Sequence, residues 1–361
     1  MRIVYTGGGT GGHVFPAVAV HSELEKRVDG LEAFWIGSSS GPERGWVEDA
    51  GIVFYGVFSG KLRRYFSLCN VLDVFKVFIG FLQSFFILLR LRPDVLFSKG
   101  GYVAVPPVVA AKVLGIPVVI HESDFDPGLA TRITCRFARK ILLTYEETVS
   151  FFAPEFRDRC VATGNPIRAS VLDGSAERAG EFFPLDDRPL VLVLGGSSGA
   201  RQVNELVWAV LPRLLEHVQV IHQAGAFADE APVYEGYHCV EFMSYELAHV
   251  LARADVVVSR AGAGAVAEFA ALGKACVFIP LGKEYGSRGD QVRNASYLAG
   301  NHAAVVLAGD DANPDSLFSA VMRLVSSPSE RSLLSERIAS FSRPDAASAI
   351  ADVIVSCVQH S

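Results

Sequence analysis

Cysteine is sparse, positive charge is not in excess, and no hydrophobic run is long enough to span a bilayer. The six cysteines, at 69, 135, 160, 239, 276 and 357, form no C-x-x-C pair. That argues against a zinc site or a disulfide framework and for reduced thiols. The net charge of −6 leaves no global basic field for nucleic acid. The most apolar window, Val77 to Leu89, covers 13 residues and contains Gln83, short of the ~20 a membrane helix needs. Low-complexity segments are absent, and a strand-like run starting at residue 2 leaves no room for a signal peptide.

What the chain has is glycine at loops. With 361 residues and half of them hydrophobic, it can build two domains with separate cores. Ile3-Val4-Tyr5 leads into Gly7-Gly8-Gly9-Thr10-Gly11-Gly12-His13, and Val14 to Ala19 follows. This reads as strand, glycine turn, then a helix with Pro16 in its first turn. Five glycines exceed what a tight turn needs. A helix N-terminus behind them offers N–H groups and a positive dipole end that suit a phosphate. Val191 to Leu194 running into Gly195-Gly196-Ser197-Ser198-Gly199-Ala200-Arg201 repeats the arrangement in the second half.

Short β-branched runs alternate with helix-length segments. In the first half they are Glu32–Ile36, Ile52–Tyr55, Asp94–Ser98, Ile116–Ile120, Ile141–Thr144 and Val161–Thr163. In the second they are Val218–His222, His238–Phe242, Asp255–Ser259, Ala275–Pro280 and Ala303–Leu307, before a helical tail from Asp345 to Val358. The pattern predicts an α/β fold of βαβ units with parallel sheets, with ligands at the carboxyl ends of the strands. Asp158 to Arg168, with the turn Gly164-Asn165-Pro166, reads as a domain boundary, and the polar stretch Asp173 to Arg188 follows it.

Residues 61–92 stand apart. Lys61, Arg63, Arg64, Lys76, Arg90 and Arg92 face one acid, Asp73. Phe75, Phe78, Leu82, Phe85, Phe86 and Leu89 recur at helical spacing, with Phe66 and Phe81 in addition. A core-facing stripe and a helix touching an anionic bilayer both fit.

Ser259-Arg260-Ala261-Gly262-Ala263-Gly264-Ala265-Val266-Ala267-Glu268 follows an apolar run and opens an Ala-rich helix. Small residues let a ligand approach the backbone. Glu268, one turn in, could accept hydrogen bonds from ribose hydroxyls or be a first-turn acid favoured by the dipole. Gln291 and Asn294 are one turn apart and could face one cleft, or mark a solvated helix start. His13 suits proton transfer from a hydroxyl, with His121 and Glu122 as rivals.

Two matches lead elsewhere. Gly7, Gly9 and Gly12 fit the dinucleotide fingerprint, but the second strand ends Trp35-Ile36-Gly37-Ser38 without the acid a ribose needs. Asp124-Phe125-Asp126 could be a D-x-D metal site, which the two-domain pattern disfavours. No Walker lysine follows either glycine loop.

The motifs taken together resemble the MurG family of peripheral membrane glycosyltransferases of peptidoglycan synthesis, from residue 1 to about 350. They are GGGTGGHVFPA (7–17), SGKLRR (59–64), SKGGYV (98–103), GIPVVIHES (115–123), GNPIR (164–168), GGSSGAR (195–201), RAGAGAVAE (260–268) and DQVRNA (290–295). The resemblance implies a GT-B architecture, two Rossmann-like domains with parallel sheets facing across a cleft that closes to assemble the site. It implies domains at 1–165 (acceptor and membrane side) and 166–341 (UDP-sugar side), with a helix in 342–361 packing back on the first. It also implies β-1,4 transfer of N-acetylglucosamine, with inversion, from UDP-N-acetylglucosamine to undecaprenyl-linked lipid I, giving lipid II, on the cytoplasmic face of the inner membrane. Neither cofactor nor metal is implied; cell-wall synthesis proteins are candidate partners, and nucleic acid is not.

Residue by residue, it implies substrate contacts at Thr10, Gly11, Gly12, Asp124, Arg168, Ser197, Met243, Ala263, Gly264, Ala265, Val266, Ala267, Glu268 and Gln291, with Glu268 on the ribose and Met243 on the uracil side. His13 is the candidate catalytic base. The chain departs from the family where Asp124 replaces an asparagine, Ser198 a glutamine, Ala261 a serine and Asp290 a glutamine. An acceptor-only carboxylate at 124 changes the contact an amide would make. Rival readings are a nicotinamide-dependent reductase, a related glycosyltransferase making another glycolipid, and a non-catalytic sugar-nucleotide-binding scaffold.

Overall fold

The computed structural model describes residues 1–60, 68–196, 199–282 and 287–359, with side chains from 75 onward in the helix Leu68–Leu91. Lys61, Arg63, Arg64, Phe66, Ser197, Ser198 and the side chain of Asp73 lie outside the described residues.

The chain divides into two units. Met1–Ile167 with Arg343–Ser361 forms the first and Arg168–Ser342 the second. Unit 1 holds β1 (Arg2–Thr6), β2 (Glu32–Ser38), β3 (Val53–Val57), β4 (Val95–Ser98), β5 (Val118–Glu122), β6 (Lys140–Leu143) and β7 (Cys160–Ala162). Unit 2 holds β8 (Leu190–Leu194), β9 (Gln219–Gln223), β10 (Tyr237–Val240), β11 (Val256–Ser259), β12 (Cys276–Phe278) and β13 (Val305–Val306). The sheet orders are β3-β2-β1-β4-β5-β6-β7 and β10-β9-β8-β11-β12-β13, and every pairing is parallel. Both are doubly wound Rossmann-type sheets, so the α/β class holds. Their direction reverses between β1 and β4 and between β8 and β11, where such sheets bind ligands.

Burial explains the unbroken apolar strands. Ile3 and Tyr5 pack on one face of the first sheet and Val4 on the other. In the second, Val191 and Val193 face one core and Leu192 the other. Helices cover both faces, so neither face alternates with polar residues. The tail helix Ala346–Gln359 buries Ile350, Ala351, Ile354 and Cys357 in the same cluster as Ile3 and Tyr5.

Local expectations change in five places. The first helix is Gly11–Glu25, so the glycines make its first turn and Pro16 falls in the second. The strand expected at Ala303–Leu307 pairs only over Val305–Val306, and that at His238–Phe242 runs Tyr237–Val240. A short helix, Ala179–Phe182, interrupts the polar stretch. The helix Leu68–Leu91 divides the phenylalanine stripe. Leu88 is fully buried and Phe81 and Phe85 pack on the core, whereas Phe75, Phe78, Leu82, Phe86 and Leu89 are exposed. Most of the stripe therefore faces outward. No helix among the described residues is long and apolar enough to cross a membrane.

Candidate functional site

The candidate residues divide between the units. In unit 1 the loop after β1 meets the loop after β4. Gly101 makes this approach possible: its φ is +81°, and a Cβ there would lie 2.9 Å from the Gly8 carbonyl oxygen and 3.3 Å from His13 Cδ2. His13 Nδ1 lies 3.1 Å from the Lys99 carbonyl oxygen. A carbonyl only accepts, so Nδ1 carries the proton and Nε2 the lone pair. His13 is half-buried; Thr10 and Gly12 are exposed, and Gly11 is buried against Phe15.

The rivals of His13 are held elsewhere. His121 is buried, with Nε2 donating to the Gly164 carbonyl at 2.8 Å and Nδ1 2.8 Å from Lys99 Nζ. Burial holds it well below the ordinary imidazole range, and the Lys99 charge adds to this. The Glu122 carboxylate accepts from Asp124 N at 3.0 Å and Gly128 N at 2.9 Å, closing the loop that carries Asp124. Asp124 is half-buried on that loop, and Asp126 pairs with Arg132. Among the described residues no three His, Cys, Asp or Glu side chains converge as a metal site would require.

Sequence reasoning missed Glu43. Its carboxylate, fully buried, accepts from Ser38 N at 2.8 Å and Gly9 N at 3.3 Å. One N–H of the first glycine loop, that of Gly9, is thus already taken by an acid of this chain. Lys99 was equally hidden: its side chain is buried, and nothing in the Ser98-Lys99-Gly100-Gly101 spacing marks a buried ammonium.

In unit 2, Arg168 Nε donates to Glu268 Oε1 at 3.0 Å. Glu268 lies in the second turn of the helix Ala263–Ala271, whose first turn carries no acid. The reading of it as a first-turn, dipole-favoured acid therefore fails. Gly264, Ala265 and Ala267 stay partly accessible, while Ala263 and Val266 are buried. Met243 is 2% exposed and its side chain joins the core. Met243 N donates to Gln223 Oε1 at 2.9 Å, and Gln223 Nε2 donates to the Gly196 carbonyl at 3.1 Å. One buried amide at the end of β9 thus joins the second glycine loop to the Met243 segment. The only cue for it was a polar residue at a strand's carboxyl end.

The second glycine loop is held by close approach. Gly199 has φ +77°, and a Cβ there would fall 2.1 Å from the Ala224 carbonyl oxygen. Beside it a hollow of about 400 Å³ is lined by Gly195, Arg201, Arg260, Leu281 and Gln291, among others. Gln291 Oε1 accepts from Leu281 N at 2.9 Å. Asn294, expected to share its cleft, is fully buried and donates to the Ala261 carbonyl, which fastens the turn before the helix Ala263–Ala271. Arg260 is buried and braced by Gln202 Oε1 and the Ile279 carbonyl, both at 2.9 Å. Small residues at a helix start and a carboxylate held by an arginine suit a nucleoside diphosphate.

Comparison with known proteins agrees with these features. Residues 3–143 match the glycosyltransferase family 28 N-terminal domain, and residues 190–350 its C-terminal domain. The UDP-N-acetylglucosamine--N-acetylmuramyl-(pentapeptide) pyrophosphoryl-undecaprenol N-acetylglucosamine transferase of Treponema denticola is 44% identical, over 87% of this chain and 85% of its own. The protein of that name from Lachnospira eligens is 43% identical over 90% of each chain. The crystal structure of Acinetobacter baumannii MurG superposes with a TM-score of 0.75 at 26% identity, covering 98% of this chain and 99% of that one. The chain therefore belongs to glycosyltransferase family 28 and, within it, to the MurG family of N-acetylglucosaminyltransferases.

Proposed function

We propose that this enzyme transfers N-acetylglucosamine from UDP-N-acetylglucosamine to undecaprenyl-diphospho-N-acetylmuramoyl-pentapeptide, lipid I, forming the β-1,4 linkage of lipid II. The observation that carries the reading is the group in unit 2 formed by Arg168, Glu268 and the small-residue helix start. Glu268 accepts from the ribose hydroxyls. Backbone N–H groups of Gly264 to Ala267 and of the second glycine loop, with Ser197, hold the diphosphate. Met243 lies on the uracil side, and Gln291 meets the sugar. In unit 1, Thr10, Gly11, Gly12 and Asp124 contact the donor, and the glycine loops also meet the acceptor diphosphate.

The reaction is one in-line displacement. His13 Nε2 takes the proton of the muramoyl C4 hydroxyl as its oxygen attacks the anomeric carbon, which inverts, and UDP leaves. The Lys99 carbonyl supports this role by keeping the Nδ1 proton away from the reacting side. Charge on the departing diphosphate is met by helix-start N–H groups and Arg168. The exposed Phe75, Phe78, Leu82, Phe86 and Leu89, flanked by Arg90 and Arg92, lie on the anionic cytoplasmic face of the inner membrane, where the lipid-linked acceptor is found.

The test incubates purified protein with radiolabelled UDP-N-acetylglucosamine and a short-chain lipid I analogue, with and without EDTA. Label in the lipid product in both arms is the expected result. Transfer lost in EDTA and restored by a divalent cation would show that a metal takes part. UDP binding without transfer in either arm would reject this acceptor.

A further inference from the structure

Lys99 is 1% exposed and has no carboxylate as a direct partner among its recorded hydrogen bonds. Its Nζ donates to His121 Nδ1 at 2.8 Å, to Ser123 Oγ, and to Asn165 Oδ1 at 3.1 Å. Those acceptors stand at the carboxyl end of β5, on the loop after it, and on the turn after β7. An ammonium has three donors, and three acceptors meet them. Ser123 Oγ in turn donates to Asn165 Oδ1 at 3.2 Å, and His121 passes its other proton to the Gly164 carbonyl. All four side chains of the cluster are buried.

Burying an amine costs several kcal/mol unless it is fully hydrogen-bonded. A methionine or leucine would fill the same space without needing three acceptors, so packing alone does not account for the residue. Burial pulls the Lys99 amine down to about 7, against an opposite pull from Glu122 and Asp124. The same residue's main chain faces the other way. Lys99 N donates to the Thr6 carbonyl at 2.9 Å, continuing the β1–β4 register, and its own carbonyl accepts the His13 Nδ1 proton. Immediately after it, Gly100 and Gly101 have φ of +86° and +81°. Two such glycines have little conformational preference of their own; Gly100 N donates to Ser98 Oγ at 3.3 Å, and the anchored Lys99 side chain adds a second restraint on the same peptide.

We infer that Lys99 is a positioning residue for catalysis: its buried ammonium ties the loops after β4, β5 and β7 together, and so holds its carbonyl where it fixes the His13 imidazole with Nε2 as the basic nitrogen. The inference rests on the proposed role of His13 in transfer. Lys99 touches no substrate and acts through His13 alone.

The test compares wild type, K99M, H13Q and the double variant, with kcat and KM for UDP-N-acetylglucosamine, UDP affinity by calorimetry, and ¹⁵N spectra of histidine-labelled protein. A misplaced base costs rate rather than donor affinity, so K99M lowers kcat by about tenfold or more with KM within about twofold. On the H13Q background K99M changes kcat by less than about twofold, because the two act as one unit. The His13 resonances, assigned by their absence in H13Q, report Nδ1 protonation in wild type and mixed tautomers in K99M. Wild-type kcat in K99M, or losses that add in the double variant, overturns the inference, as does an unchanged His13 tautomer. If K99M does not fold, S123A removes one acceptor and carries the same readouts; a kcat drop of about threefold is expected, and no drop overturns the inference. Wild type that shows the His13 tautomer, with its loss in K99M, but transfers nothing would reject the function and leave the positioning role standing.

Discussion

Arg168 and Glu268, a hundred positions apart, form an ion pair at 3.0 Å. Both are partly accessible, so the pair is screened and contributes little to stability. Its effect is to orient the carboxylate that the ribose would meet. Glu268→Gln should raise KM for UDP-N-acetylglucosamine by roughly 10- to 100-fold, the cost of about 1–3 kcal/mol for weakening hydrogen bonds to a charged group. Steady-state kinetics with Arg168→Ala and the double variant should give a coupling of at least about 0.5 kcal/mol. Independent, additive losses would show that the pair does not act together.

His13 is the base in the proposed displacement. His13→Gln keeps the size and a donor for the Lys99 carbonyl but offers no basic nitrogen. It should lower kcat by about 10²- to 10⁴-fold with UDP binding unchanged. Single-turnover transfer of radiolabel is the measurement; full activity in the variant would move the base elsewhere.

Gln223 satisfies the Gly196 carbonyl and the Met243 N–H with one amide. Gln223→Glu keeps the acceptor but places a second acceptor against the Gly196 carbonyl. The donor loops should separate, and UDP affinity measured by calorimetry should fall by about 1–3 kcal/mol. An unchanged affinity would make this amide a packing residue only.

His222 is fully buried between Tyr237 and Asn204, and burial brings its imidazole down to about 3. The unfolded imidazole protonates near ~6.5. Between those values the unfolded state binds the proton and the folded state does not. Its contribution is fully present above ~6.5 and is lost as pH falls toward 3, at up to ~1.4 kcal/mol per unit. Urea unfolding at pH 7 and pH 5 should show wild type losing about 1–2 kcal/mol more than His222→Gln over that interval. Parallel losses would remove His222 as the cause.

The exposed face of the helix Leu68–Leu91 should bind membranes. Phe78→Asp with Phe86→Asp should weaken binding to anionic vesicles by at least about tenfold, since each inserted phenylalanine is worth ~1.5–3 kcal/mol. Activity on a short-chain, water-soluble acceptor should stay unchanged. Vesicle binding equal to wild type would put the membrane contact elsewhere.

The sequence by itself determined the α/β class, the strand positions and the loops at the carboxyl ends of those strands. These depend on period and on glycine, which act over a few residues. The apolar runs at Ile3–Tyr5 and Val191–Leu194 have no polar alternation because helices cover both sheet faces, and that is visible in one dimension. The neighbours of the loops are not. Glu43 reaches Gly9, and Lys99 reaches His121, Ser123 and Asn165, only because parallel crossovers bring distant strand ends together. Helical spacing marked the phenylalanines of residues 75–89 as a stripe but could not say which side meets the core. The tertiary structure decided that by packing Phe81, Phe85 and Leu88 inward and leaving Phe75, Phe78 and Phe86 outside. It likewise placed Asn294 in the interior and Met243 in the core, because burial depends on what the rest of the chain lays over a residue.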